Sequence, residues 1–154
     1  MYPNFLKYMK ISCDKAKLKI AMKNCEVVVH AAAALPLWSP IDIMTTNVLG
    51  TKNVIELTKE LNVRRTIYIS STAVYGVPKK HPIVETDPVQ GVGAYGHSKI
   101  AAEKIAFKYM AQGTPITIIR PKTFVGTHRL GVFEILFDWV HDNVKIPVVG
   151  SDKN

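Results

Sequence analysis

Apolar and polar positions along this 154-residue chain switch between a helical and an extended pattern. Leu18, Ala21 and Met22 recur at helical spacing and predict a short helix over 14–24. The following segment, 26–31, contains the unbroken run Val27-Val28-Val29, the pattern of a strand buried on both faces of a parallel sheet. Ser39-Pro40 is a helix-start signal, with serine as cap and proline in the first turn. That helix is expected to run to about Leu61. A second strand is predicted at 65–71, then a loop over 76–93 marked by glycine and proline. A helix over 94–111, ended by Gly113, precedes a strand at 115–119. Its positions Ile100, Ala101, Ile105 and Met110 are expected to face the core. A further helix at about 131–142 and a short strand at 146–149 complete the reading.

Strands separated by helices of ten or more residues imply β-α-β units and a parallel sheet. In such sheets ligands bind beyond the carboxyl ends of the strands. Three segments leave those ends: His30-Ala31-Ala32-Ala33, Ser70-Ser71-Thr72-Ala73 and Arg120-Pro121-Lys122-Thr123-Phe124. The topology alone therefore gathers the candidate site residues. His30 reads as a buried strand-end histidine rather than a base or ligand.

The strongest chemical signal lies in Ala94-Tyr95-Gly96-His97-Ser98-Lys99. On a helix, a spacing of four puts the Tyr95 phenol and the Lys99 ammonium on one face. A phenol is a poor acid or base at neutral pH, and a nearby cation favours its ionised form. A hydroxyl such as Ser71 can hold a substrate oxygen while the tyrosine moves a proton. Such a trio suits hydride chemistry at a carbinol or carbonyl carbon, with a nicotinamide as carrier. With six tyrosines in the chain, chance supplies about 0.6 matches to Tyr-x-x-x-Lys. The other match, Tyr75 to Lys79, contains Gly76 and Pro78 and cannot share a helix face.

Composition narrows the classes. A 47% hydrophobic and 21% charged chain is that of a globular domain with a real core. The longest nearly apolar stretch, Val27 to Trp38, is too short to span a bilayer. Cys13 and Cys25 form no metal or redox motif and are expected to be free thiols of a cytoplasmic protein. The net charge is +8. Lysines 15, 17, 19 and 23 read as a solvated helix face rather than a nucleic-acid patch. The remaining histidines, 81, 97, 128 and 141, show no zinc spacing.

Five segments together resemble the extended short-chain dehydrogenase/reductase family, the nucleotide-sugar epimerases and dehydratases. They are Val27 to Ala33, Asn47 to Val54, Tyr68 to Gly76, Tyr95 to Lys99 and Ile119 to Gly126, in the family's order and spacing. The resemblance implies that Tyr95 is the acid/base, that Lys99 lowers its pKa and binds the nicotinamide ribose, and that Ser71 bonds the reacting oxygen. It places Ala31, Ala32, Ala33, Ser70, Pro121 and Thr123 along the cofactor. Asn47 would support the site from its helix, and Thr72 and Glu85 would face the substrate. The cofactor implied is NAD or NADP, with NAD favoured. The implied partner is a nucleotide-sugar or related small molecule, with a homodimer in the full-length parent, formed by helices 40–61 and 94–111.

The family's opening Gly-x-x-Gly-x-x-Gly loop brings the pyrophosphate onto backbone amides. Here the first glycine is Gly50, and Ile11 falls near the position of a customary aspartate. The chain is thus expected to be an α/β, incomplete doubly wound, Rossmann-like sheet without its first β-α-β phosphate-binding unit. The expected division is 1–13 as a residual segment, 14–150 as the partial dinucleotide domain and 151–154 as the start of a substrate region. A sugar 4,6-dehydratase is disfavoured, because Thr72 and Ala73 stand where that branch has Asp-Glu. A non-catalytic NAD(P)-binding sensor or scaffold, and a 3β-hydroxysteroid- or flavonol-type dehydrogenase, remain as alternatives, as does an inactive product of a decayed gene. The 154 residues alone are predicted to have little or no dinucleotide affinity; micromolar binding of NAD by calorimetry contradicts this.

Overall fold

The computed structural model describes residues 10–122 and 132–145. They fall in two compact units, Met1–Pro121 and Lys122–Asn154. The expected strand at 146–149, residues 1–9 and Thr123 lie outside the described residues.

In the first unit two of the helices begin on a side-chain cap. The Asp14 side chain accepts from the Lys17 amide at 3.1 Å and caps α1 (Lys15–Met22). Such caps are worth about 1 kcal/mol. β1 (Val27–His30) follows. Ser39 caps α2 (Pro40–Met44), with Pro40 in the first turn. The helix then runs through a π turn at Thr45–Leu49 into α3 (Gly50–Glu60). β2 (Arg65–Ile69) leads to a 3-10 turn at Thr72–Tyr75. After the loop come α4 (Gly93–Met110) and β3 (Ile116–Ile119). The second unit contributes α5 (Val132–His141).

The three strands form one parallel sheet in the order β1-β2-β3. Val27 pairs with Arg65 and His30 with Tyr68; Thr66 pairs with Ile116 and Ile69 with Ile119. This is the α/β, Rossmann-like arrangement that alternating strands and helices predict. One face of the sheet is covered. There Ile55, Tyr68, Ala102, Ala106 and Ile116 form one cluster, and Met22, Val54, Leu57 and Val63 a second. Full burial of a side chain such as Ile55 or Leu57 stabilises by about 1.5–3 kcal/mol. Gly50 allows the turn at Lys10–Cys13 to reach α3, since a Cβ there would sit 2.5 Å from Ser12 Oγ.

Two expectations are corrected. β1 is not buried on both faces: Val27 and Val29 are 41% and 60% exposed. One layer of helices covers the sheet in the described part of this unit, so alternate residues of the valine run are left outward. The core side of α4 matches the expectation only in part: Ile105 packs against the buried cluster around Ile55 and Tyr68, but none of Ile100, Ala101, Ile105 and Met110 is fully buried. Its buried residues are Gly96, Ser98, Lys99, Ala102, Glu103 and Ala106, while Ile100, Ala101 and Ile105 are half-buried and Met110 is exposed. Small side chains let the helix lie close to the sheet, and two charged ones are carried inward. The lysines of α1 form the exposed face the sequence predicts, and from it Lys15 bonds Glu56 at 2.7 Å and Lys19 bonds Glu60, linking α1 to α3 across the surface.

Candidate active site at the carboxyl ends of the strands

The backbone gathers the ends of all three strands. Past β2, the Ser70 amide donates to Ile119 O at 2.7 Å and the Thr72 amide to Pro121 O at 3.1 Å. Ser71 is half-buried in extended conformation, and its Oγ accepts from the Ala73 amide at 3.1 Å, capping the 3-10 turn. Accepting through oxygen leaves the hydroxyl proton available to donate. The first turn of α4 comes down on this turn: a Cβ on Gly96 would lie 3.0 Å from Ala73 O. The glycine beside Tyr95 thus brings the catalytic candidates of the helix close to the Ser71 segment.

Tyr95 and Lys99 meet as the spacing predicts, with Lys99 Nζ 5.7 Å from the Tyr95 ring centroid. The ammonium also lies 5.2 Å from the Tyr68 ring and donates to Ile69 O at 3.0 Å. Lys99 is only 2% exposed. Burial disfavours its charge and draws its pKa down to about 8; Glu103, one turn along, opposes the fall.

His30, at the end of β1, stacks on Tyr68 with centroids 5.7 Å apart. Its Nε2 lies 3.0 Å from Thr51 Oγ1. Thr51 spends its own proton on Asn47 O at 2.6 Å, so the Nε2 hydrogen is the one donated. Burial, and then the Lys99 charge, pull the His30 pKa down to about 4. The imidazole is neutral at pH 7.

Asn47 is 1% exposed and sits in the π turn. Its Oδ1 accepts from the Ala34 amide at 2.7 Å, and its Nδ2 donates to Ala34 O at 3.3 Å and to Ser98 Oγ at 2.9 Å. Ser98 in turn donates to Tyr95 O at 2.7 Å. One amide therefore ties the alanine segment after β1 to the Tyr95 helix. Ala31 is exposed, and Ala32 and Ala33 are half-buried. Ser70 Oγ and Tyr68 OH are buried and form no well-aligned hydrogen bond, although Ser70 and Thr51 lie close enough to act on the Tyr68 phenol. A buried hydroxyl without a well-aligned partner calls for a water or a ligand. Glu85 is exposed, and its carbonyl accepts from Arg120 at 3.0 Å. Reading the sequence missed Glu103, although it lies four residues after Lys99 and shares its helix face.

Comparison with known proteins gives these positions a context. The family described as NAD dependent epimerase/dehydratase matches residues 10–153. The uncharacterized protein y4nG of Sinorhizobium fredii is 33% identical over 99% of this chain and 39% of its own length. A UDP-glucose 4-epimerase of Lactobacillus helveticus is 35% identical over 64% of this chain and 31% of its own length. The UDP-glucuronic acid 4-epimerase of Bacillus cereus, solved with NAD, has a TM-score of 0.75 and 26% identity. That match covers 82% of this chain and 42% of the other. The chain thus spans less than half the length of these relatives.

His30 makes the fold acid-sensitive. The unfolded chain takes up its proton near pH 6.5, the folded chain only near 4, so stability falls as pH drops through that window. Between pH 7 and pH 4 the native chain is predicted to lose about 3 kcal/mol more than a His30→Phe variant. Urea unfolding at the two pH values measures this; equal losses refute it.

Proposed function

The chain belongs to the NAD dependent epimerase/dehydratase family, and from that premise we propose that its site serves hydride transfer at a carbinol or carbonyl carbon of a nucleotide-sugar. The observation that carries the reading is the buried Lys99 ammonium beside the Tyr95 ring at the ends of the parallel strands. Tyr95 is the acid/base: its phenol oxygen takes the hydroxyl proton of the substrate, or returns it to a carbonyl. Lys99 stabilises the phenolate while the proton is away. Ser71, whose oxygen already accepts from the Ala73 amide, turns its proton towards the reacting oxygen and fixes it.

The residues present fit the nicotinamide half of a dinucleotide. The small side chains of Ala31 to Ala33 leave room after β1, the buried Ser70 hydroxyl makes no well-aligned protein hydrogen bond, and Lys99 and Pro121 border the same strand ends. A nicotinamide bound there would supply the hydride-accepting carbon. NAD is favoured over NADP because the solved epimerase from Bacillus cereus holds NAD. Thr72 and Glu85 are proposed to face the substrate. The 4-epimerase names among the relatives support a UDP-sugar as the substrate class.

Tyr95→Phe separates this reading from a non-catalytic NAD sensor. In a form of the protein that binds NAD, the variant is expected to lose turnover of a UDP-sugar by about 10²–10⁴-fold and to keep NAD affinity within about twofold. Unchanged turnover overturns the catalytic role of Tyr95.

A further inference from the structure

The α4 helix carries a second charged residue inward, and the reaction as described does not use it. Glu103 is 2% exposed. Its two carboxylate oxygens accept from Arg120 Nε at 2.9 Å and Nη2 at 2.7 Å, a two-pronged pair with side chains only 3% and 14% exposed. The remaining nitrogen, Nη1, donates to Tyr75 OH at 2.7 Å and to Glu85 O at 3.0 Å. The guanidinium also lies over the Tyr75 ring, 5.0 Å from its centroid. One side chain thus joins four segments: the Tyr95 helix, the end of β3, the 3-10 turn that Ser71 caps, and the loop that carries Glu85.

We propose that the Glu103–Arg120 pair is a positioning device for the hydride-transfer site, holding the Ser71 turn and the Glu85 loop at a fixed distance from Tyr95 and Lys99. This rests on the functional reading above and extends it to two residues that touch neither substrate nor cofactor. Arginine suits the task because its planar fork meets a carboxylate with two bonds and still has donors for a phenol and a carbonyl. A lysine could keep the charge but not the four-way geometry. The carboxylate has a further effect along its own helix. Tyr95, Lys99 and Glu103 recur every fourth residue, so the negative charge lies one turn from the ammonium and favours it. Two other titratable groups packed against Lys99 are uncharged at pH 7: His30 on β1, whose pKa burial pulls down, and Tyr68 on β2, whose phenol burial pushes up. Glu103 is the one anion set against that buried cation among the described residues.

The test uses the 154-residue chain and needs neither cofactor nor turnover. A negative result is therefore distinct from failure of the hydride-transfer reading, which the Tyr95→Phe assay decides. With ¹³Cε-labelled lysine, NMR follows the Lys99 titration in Glu103→Gln, Glu103→Asp and Arg120→Lys, and hydrogen exchange follows the loop amides over 76–91. Glu103→Gln is expected to lower the Lys99 midpoint by about one pH unit, a tenfold change in acid dissociation. Glu103→Asp keeps the charge and is expected to hold the midpoint near the native value. Arg120→Lys is expected to leave the midpoint in place yet speed exchange in the loop at least tenfold. A Lys99 midpoint unmoved by Glu103→Gln, or loop exchange unmoved by Arg120→Lys, overturns the proposal. Should Glu103→Gln fail to fold, the Arg120→Lys exchange decides alone.

Discussion

The site is organised by the burial of a single ammonium group. Lys99 enters the narrow space between α4 and the end of β2, where water cannot solvate it. A charge so placed is tolerated only when fixed dipoles and a counter-charge replace the water it has lost. Ile69 O, the faces of Tyr68 and Tyr95, and the Glu103 carboxylate together do this. The consequences spread outward. His30, neutral through its own burial and then through the nearby cation, stacks on Tyr68 and bonds Thr51. Glu103 must itself be paired, which requires Arg120.

This requirement accounts for the odd character of α4. A helix against a sheet ordinarily turns its apolar stripe inward. Here the inward stripe is Gly96, Lys99, Ala102, Glu103 and Ala106, small residues alternating with charged ones. The small ones bring the helix axis near enough for Lys99 to reach a strand carbonyl. The helix gives up apolar burial for placement, and much of its bulk is left half-buried or exposed at Ile100, Phe107 and Met110. Asn47 does comparable work from α2 and α3, where the π turn aims its amide at both Ala34 and Ser98. Such turns are frequent at functional sites.

Local signals were legible in the residues. Ser39-Pro40 started a helix where the signal placed it, Gly113 ended α4, and Tyr95 and Lys99 share a face because four residues make about one turn. The strand ends converge because the chain alternates strands and helices. What could not be read were partnerships across long separations. Asn47 and Ser98 are 51 residues apart and Lys15 and Glu56 are 41 apart. Nothing in either local sequence specifies its partner. The fully buried positions of α4 are hidden for a related reason: size and apolarity mark Ile105, which does pack on the core, whereas close packing against a sheet selects for smallness. The valine run of β1 matches a doubly covered strand, and its outer residues are bare because the described helices form one layer.

The direct measure of the buried ammonium is its own titration. With ¹³Cε-labelled lysine, identified by its loss in Lys99→Met, the native chain should show one lysine titrating with a midpoint of about 8. A Lys99 midpoint at the ordinary value near 10.5 would mean a solvated amine, and the account of this site would be wrong.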